Sequence, residues 1–546
     1  MTADPLARLR AEIASLDAGH AIGRVTAARG QTIAVSGLSE RARLGDRVRI
    51  ARAAAPLNGE VVQIDGATLT VLPEDVPEGV RLGDLVALTG AATLAPDDGW
   101  IGRIVDPFGR PLDGRPLLRG ASARPLRADP PDPAARRAMG ARLSTGMTAF
   151  NTLLPLARGQ RMGLFAGAGV GKSMLLGRLA RHVEADVVVV ALIGERGREL
   201  RDFVDNVLGV EGMRRAVVVA ATSDRAPLVR RRCAWAAMTV AEHFRDAGRH
   251  VLLLTDSITR FAEAHREVAV AAGELPALRG YPASTAHMIM ALAERAGPAV
   301  GTQGDITALF SVLVAGSDMD EPVADILRGA LDGHVVLDRA IAERGRYPAI
   351  DLLRSVSRSL PAAANPEESA AIARARHLLG VHARSEAMIR AGLYTEGADP
   401  DLDQAVKVHG ALDTFIAEPE GVSIANSFDR LAVILRRAGG VRAGPGVASG
   451  AAPGKGPRGT EAGEQTAAGA ASRQPAARSA AKPEAPASPV PQHVGATPSH
   501  HGGTAASGAA VVTAGQTGQT GATPGGKPET PGGVGGVIAG GKPSAG

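Results

Sequence analysis

Eight residues, AGAGVGKS from Ala166 to Ser173, have the form of a phosphate-binding loop with one departure from G-x-x-x-x-G-K-[ST]. Ala166 stands where the first glycine belongs. A Gly-rich turn between a strand and a helix directs backbone N–H groups at phosphate oxygens. Lys172 would reach the β- and γ-phosphates of ATP, and the Ser173 hydroxyl would bind Mg²⁺. The predicted nucleotide-binding loop residues are Gly167, Ala168, Gly169, Val170, Gly171, Lys172 and Ser173.

The departure at Ala166 has a simple interpretation. The preceding residues, RMGLF, form an apolar strand, so Ala166 lies at the strand exit. Alanine costs little at such a position unless φ is positive. We therefore expect the loop to hold a nucleotide.

Two carboxylates follow predicted strands near this loop in the chain. Asp256 ends the strand HVLLLTD, where it could support Mg²⁺ directly or through water. Glu195, in ALIGERGREL, could orient or deprotonate a water in line with the γ-phosphate. A solvated glutamate in a charged loop explains Glu195 equally well, and position alone leaves both interpretations open.

Two further residues carry weaker signals. Arg358, in LLRSVSRSL, could stabilise charge in phosphoryl transfer at a neighbouring subunit's site, although a surface arginine near a helix end is the simpler explanation. Tyr347, in RYPAID, could stack on adenine or fill a core. His500 and His501 have no Cys or acidic neighbour, and we reject a metal site there.

The secondary structure that must position these residues is predicted from changes in the hydrophobic pattern along the chain. Residues 96–365 alternate continuous apolar strands with helices, which indicates a P-loop (RecA-like) parallel sheet covered on both faces. Residues 22–95 contain short β-branched runs separated by Gly-Asp and Asp-Gly turns, which predicts a small β-barrel. Residues 1–21 predict an amphipathic helix and residues 366–440 a helical domain. The fold class is α/β.

The remaining segment, residues 441–546, is dominated by Gly, Ala, Pro, Ser and Thr and predicts a disordered tail. It accounts for +4 of the net charge of +5, leaving +1 for residues 1–440. The nearly neutral folded part, and a barrel region without Phe, Trp or Tyr, argue against a nucleic-acid partner. A single cysteine, Cys233, and no apolar signal segment predict a cytoplasmic chain.

Several stretches together resemble the flagellum-specific export ATPases, a branch of the type III secretion ATPases and rotary ATP synthase α/β subunits. They keep a consistent order from the barrel to about residue 435: RGQRMGLFAGAGVGKS, LIGERGREL, LLLTDSITRFAEAHRE, RGYPAS, LDGHVVLDRAIAERGRYPAIDLLRSVSR and GLYTEGADPDLDQAV. The resemblance does not cover the tail. It also removes the anomaly at Ala166, because family members use alanine there.

The resemblance implies a homohexameric ATPase with nucleotide and Mg²⁺ between subunits. It implies that Glu195 positions the attacking water, that Asp256 supports the metal, and that Arg358 reaches the neighbouring site. Tyr347 becomes the adenine-side residue. Because the non-catalytic rotary subunits carry glutamine where Glu195 stands, the chain is expected to be catalytic.

The resemblance also implies partners and a location. The N-terminal helix would bind a stator-like flagellar export regulator, and the ring would meet a central-stalk-like export protein, export-gate proteins, export substrates and chaperones. The protein would lie peripherally at the inner face of the inner membrane, at the flagellar base. The alternatives are an injectisome secretion ATPase and, less favoured, a nucleic-acid translocase of the transcription-termination type.

Overall fold

The computed structural model describes residues 19–314 and 319–439, together with Leu6, Arg10 and Ile13. Those three residues of the N-terminal segment are helical, and their side chains are exposed. The predicted tail, residues 441–546, lies outside the described residues, so its disorder stays a prediction.

The first compact element is a closed barrel of six antiparallel strands. In chain order they are β1 (Ile22–Arg29), β2 (Thr32–Ser36), β3 (Asp46–Ile50), β4 (Leu57–Asp65), β5 (Thr68–Pro73) and β6 (Leu85–Ala91). Their order around the barrel is β1-β2-β5-β4-β3-β6. Alternate residues such as Ile33 and Val35 are buried inside it, as the period of two requires. The predicted barrel is confirmed.

The central element is an eight-stranded sheet. The remaining strands are β7 (Thr93–Leu94), β8 (Arg103–Val105), β9 (Arg124–Pro125), β10 (Arg161–Ala166), β11 (Val187–Glu195), β12 (Ala216–Thr222), β13 (Val251–Asp256), β14 (Ile306–Leu313), β15 (Gly333–Leu337) and β16 (Ile350–Ser357). The sheet order is β16-β15-β10-β14-β13-β11-β12-β8, and β7 pairs separately with β9. The predicted parallel sheet is confirmed, with one addition: the edge strand β16 runs antiparallel to β15.

Helices cover both faces of this sheet. In chain order they are α1 (Thr148–Asn151), α2 (Lys172–His182), α3 (Gly197–Asp202), α4 (Gly209–Met213), α5 (Pro227–Asp246), α6 (Ile258–Ala271), α7 (Ser284–Glu294), α8 (Pro322–Ala330) and α9 (Arg339–Glu343). Alternate residues of β11 enter different cores: Val188 and Val190 pack on the α2 side, Val187 and Val189 on the side of α5 and α6. Because both faces of β11 are buried, its sequence is a continuous run of apolar residues.

Three helices follow the sheet: α10 (Pro366–Arg390), α11 (Pro400–Ala417) and α12 (Ile424–Arg437). Their starts follow sequence rules. Asn365 and Glu368 form a capping box before α10, and Asp399 and Ser423 cap α11 and α12. Buried leucines of these helices join the core on the α2 face of the sheet.

The barrel is joined to helix α5 of the central domain by a buried group of charges, here called the barrel–core ion cluster: Glu60, Glu74, Arg231 and Arg232. Arg232 lies 2.8 Å from Glu60 and 3.1 Å from Glu74, and Arg231 lies 3.0 Å from Glu60. Buried charges require such partners because desolvation penalises an unpaired ion. The cluster could not be predicted from the sequence, since its glutamates and arginines lie more than 150 residues apart along the chain.

Candidate active site

The phosphate-binding loop joins the end of β10 to the start of α2. Ala166 is the fully buried last residue of β10, and its φ is outside the left-handed region. Gly169 and Gly171 have φ of 76° and 87°, conformations that favour glycine. A Cβ added at Gly169 would meet no atom within 4 Å, so the space above the loop is open. The sequence interpretation of Ala166 as a strand exit agrees with this geometry.

The start of α2 is built to receive an anion. Lys172 is its first residue, and Ser173 follows with an exposed side chain. The N-cap residue is Gly171, so no N-cap side chain accepts from the N–H groups of the first turn. These donors, together with the positive end of the helix dipole, are available to phosphate oxygens.

Asp256 lies beside the loop because its strand is two places from β10 in the sheet. Its carboxylate is 3% exposed, and Oδ1 accepts from Lys172 Nζ. The same oxygen accepts from Ser311 Oγ at 2.8 Å. The structure therefore brings together the P-loop lysine and the predicted metal-supporting carboxylate.

Glu195 ends β11, next to the strand that ends in Asp256. Burial, the charge of Asp256 and a side-chain hydrogen bond with Glu199 together raise the pKa of Glu195 to about 7, against the opposing charge of Lys172. Glu199 lies four residues later, in the first turn of α3, and pairs with Arg196 at 3.0 Å. A carboxyl group with this pKa is matched to proton transfer near neutral pH.

Tyr347 lies over the loop. A Cβ built on Gly171 would be 3.1 Å from its Cδ1 atom, and the side chain is 46% exposed. It therefore does not fill a core, and its ring borders the open side of the loop.

Arg358 is the one predicted site residue that the fold places elsewhere. Arg358 follows β16, and its backbone N–H donates to Asp332 O at 2.9 Å. The N–H of Asp332 in turn donates to Arg161 O, so Arg358 lies near the start of β10. The loop begins only after Ala166, about 16 Å further along the strand direction. The Arg358 side chain is exposed, and Arg358 lies at the opposite end of the strands from the loop of its own chain.

Sequence reasoning missed three residues of this site. Glu199 had only its closeness in sequence as a signal, since it lies four residues after Glu195, across the turn from β11 to α3. Arg260 had the same kind of signal, as it lies four residues after Asp256, in the first turn of α6. A Cβ built on Gly194, next to Glu195, would be 3.5 Å from the Cβ atom of Arg260. Ser311 had none, because only the pairing of β13 with β14 brings it to Asp256.

Oxygen donors suit Mg²⁺, and the open glycine loop suits a nucleotide, so the residues present fit both groups. Within residues 19–314 and 319–439, no cluster of three or more His, Cys, Asp or Glu forms a separate metal centre. Nor does any described helix combine the length and apolarity needed to cross a membrane. Cys233 is fully buried in α5, and burial raises the pKa of its thiol.

Comparisons with known proteins agree with this geometry. Residues 146–357 match the ATP synthase alpha/beta family nucleotide-binding domain, and residues 364–432 match the T3SS EscN ATPase C-terminal domain. The flagellum-specific ATP synthase of Caulobacter vibrioides is 44% identical over 438 residues, covering 78% of this chain and 99% of that protein.

Solved structures of type III secretion ATPases are also similar to this chain. The assembled ATPase EscN of the enteropathogenic E. coli type III secretion system is 36% identical, with a TM-score of 0.71, covering 76% of this chain and all of that one. EscN in complex with its central stalk EscO has a TM-score of 0.69 at 36% identity, with coverage of 76% and 100%.

The parallel sheet, the glycine loop and the grouped Lys172, Glu195 and Asp256 define a P-loop ATPase. The 44% identity across nearly the whole length of the Caulobacter vibrioides protein shows which family of P-loop ATPases includes this chain. The chain belongs to the family of flagellum-specific ATP synthases.

Proposed function

We propose that this chain hydrolyses ATP to ADP and phosphate in a homohexameric ring, and that hydrolysis drives type III export of flagellar proteins across the inner membrane. The grouping of Lys172, Glu195 and Asp256 at one edge of the sheet carries the proposal. The family of the relatives supports its flagellar part, and the assembled state of EscN supports a ring.

In the proposed mechanism the backbone N–H groups of residues 167–173 bind the phosphates. Lys172 exchanges its contact with Asp256 for the β- and γ-phosphates. The Ser173 hydroxyl and the Asp256 carboxylate would hold Mg²⁺, which when bound neutralises charge on the phosphates. Tyr347 would border the adenine.

Glu195 would orient the attacking water and accept its proton. Its pKa of about 7 leaves a large ionised fraction at neutral pH. Arg358 lies too far from its own loop to assist there, and its exposure supports a role at the loop of a neighbouring subunit.

The pH dependence of hydrolysis tests the role of Glu195. Because protonated Glu195 cannot accept a proton, we expect kcat/KM to fall about tenfold per pH unit on the acid side. The midpoint should lie at about 7. Glu199→Gln removes a negative charge and a proton-sharing partner that both raise the Glu195 pKa, so the acid limb should move to lower pH.

Asp202→Asn is the matched control, because Asp202 lies on the same helix and bonds Asn206 instead. Its acid limb should coincide with that of the wild type. An unshifted limb in Glu199→Gln would contradict the proposed coupling of the two glutamates.

The proposed partners follow the same family evidence. We propose that the helix predicted for residues 1–21 binds a stator-like export regulator, and that the ring receives a central-stalk-like protein, as EscN does with EscO. Export-gate proteins, substrates and chaperones complete the set, at the inner face of the inner membrane. No nucleic-acid partner is proposed.

An injectisome role is the second candidate, because solved structures similar to this chain come from the enteropathogenic E. coli type III secretion system. Deleting the gene and assaying secreted proteins separates the two. We expect flagellar subunits to disappear from the medium and to return with the wild-type gene but not with Glu195→Gln. Unchanged flagellar secretion with lost secretion of other substrates would favour the injectisome. Stimulation of hydrolysis by RNA would instead favour a translocase.

A further inference from the structure

Ser311 makes a contact that the proposed mechanism has not used. Its side chain is fully buried in β14, and its hydroxyl donates to Asp256 Oδ1 at 2.8 Å. The strand register fixes this contact: β14 lies between β10 and β13, and Phe310 pairs with Thr255. The pairing of these two strands therefore places Ser311 beside Asp256.

The acceptor oxygen has two donors of different kinds. Lys172 Nζ and Ser311 Oγ both donate to Asp256 Oδ1. The lysine lies on a nucleotide-binding loop and is needed by phosphate, whereas the serine hydroxyl lies on a buried strand. When Lys172 contacts the phosphates, Asp256 Oδ1 loses the lysine as a donor but keeps the Ser311 hydroxyl.

Water is a poor substitute for the serine. Asp256 is 3% exposed and Ser311 is fully buried, so the carboxylate oxygen has little access to solvent. A buried acceptor that loses its donor is penalised, and a carboxylate without a fixed partner loses its orientation. The hydroxyl thus fixes both the position and the direction of this carboxylate.

We propose that Ser311 is a positioning residue of the ATPase reaction, which holds the Asp256 carboxylate in the orientation that supports Mg²⁺ after Lys172 has moved to the nucleotide. The proposal rests on the proposed role of Asp256. It assigns Ser311 no contact with the nucleotide, so the loss of its hydroxyl should affect the metal-dependent part of binding.

The test measures the affinity of the full chain for a fluorescent ATP analogue, once with Mg²⁺ and once with EDTA, together with kcat and KM. Ser311→Ala should weaken binding in Mg²⁺ about tenfold, the usual effect of losing a support to a metal ligand. Affinity in EDTA should be unchanged, and kcat should fall more than KM rises. Ser311→Thr, which keeps the hydroxyl, should restore the Mg²⁺-dependent affinity.

Thr307→Val is the matched control. Thr307 is a fully buried hydroxyl four residues earlier on the same strand, and it bonds Gly159 and His250 instead of Asp256. It should leave the Mg²⁺ effect intact, whatever its effect on Tm. If Ser311→Ala is too unstable to measure, Ser311→Cys, with a weak donor of similar size, should shift affinity in the same direction.

Two results would overturn the proposal: a wild-type Mg²⁺ effect in Ser311→Ala, or an equal loss in Ser311→Ala and Thr307→Val. Asp256→Asn separates this failure from a failure of the proposed function. If Asp256→Asn loses the Mg²⁺ effect while Ser311→Ala keeps it, only the role of Ser311 is wrong. If Asp256→Asn keeps it, the metal role of Asp256 is wrong and the Ser311 proposal falls with it.

Discussion

Replacing Glu195 with glutamine is expected to lower kcat about 10³-fold, because the amide cannot accept a proton from the attacking water. ATP affinity should be retained, since the loop, Lys172 and Asp256 are untouched. Glutamine has nearly the shape of glutamate, so the fold around the end of β11 should be preserved. Steady-state hydrolysis and nucleotide titration measure the two effects separately.

Lys172→Ala provides the contrast, because it removes a phosphate contact and should lose affinity as well as turnover. A thermal melt of each variant establishes that both remain folded. Full turnover by Glu195→Gln would remove this residue from the mechanism and leave its raised pKa as a consequence of burial and neighbouring carboxylates only.

Arg358→Ala is expected to lower kcat by about 10³-fold or more, the range for an arginine that stabilises transferring phosphate. The fold places Arg358 level with the start of β10, whereas the loop follows its end. We therefore expect the Arg358 guanidinium to act at the loop of another subunit, so the defect of Arg358→Ala should be complementable between chains.

Mixing supplies the decisive measurement. In mixed rings, an interface is complete when an Arg358→Ala subunit supplies the intact loop and a Lys172→Ala subunit supplies the intact arginine. Because the contact is head-to-tail, about a quarter of the interfaces are complete at equal ratio. Hydrolysis should recover accordingly. Lys172→Ala mixed with the double variant has no complete interface and should stay inactive. Absence of recovery in rings confirmed to be mixed would argue against a finger in trans.

The sequence predicted those parts of the site that are local or lie at strand ends. The loop is contiguous, and Glu195 and Asp256 each end an apolar strand, so a parallel sheet necessarily gathers them at one edge. Tyr347 needed the resemblance, because a lone tyrosine has no periodicity to interpret.

Other features escaped because they depend on contacts between distant segments. Ser311 resembles any small residue in a buried strand until β14 is paired with β13. Glu60 and Arg232 are 172 residues apart, and only the docking of the barrel makes them partners. The antiparallel direction of β16, which carries Arg358 to the far edge, likewise follows from pairing and not from composition.

The burial of Cys233 has a practical consequence for studying such an assembly. It is the chain's single cysteine, it lies inside α5 with no exposed surface, and its thiol resists ionisation. Maleimide dyes react with accessible thiolates, so the native chain serves as an unreactive background. Cysteines introduced at exposed positions such as Met174 and Leu353 would accept fluorophores selectively, and subunit exchange could be followed by energy transfer.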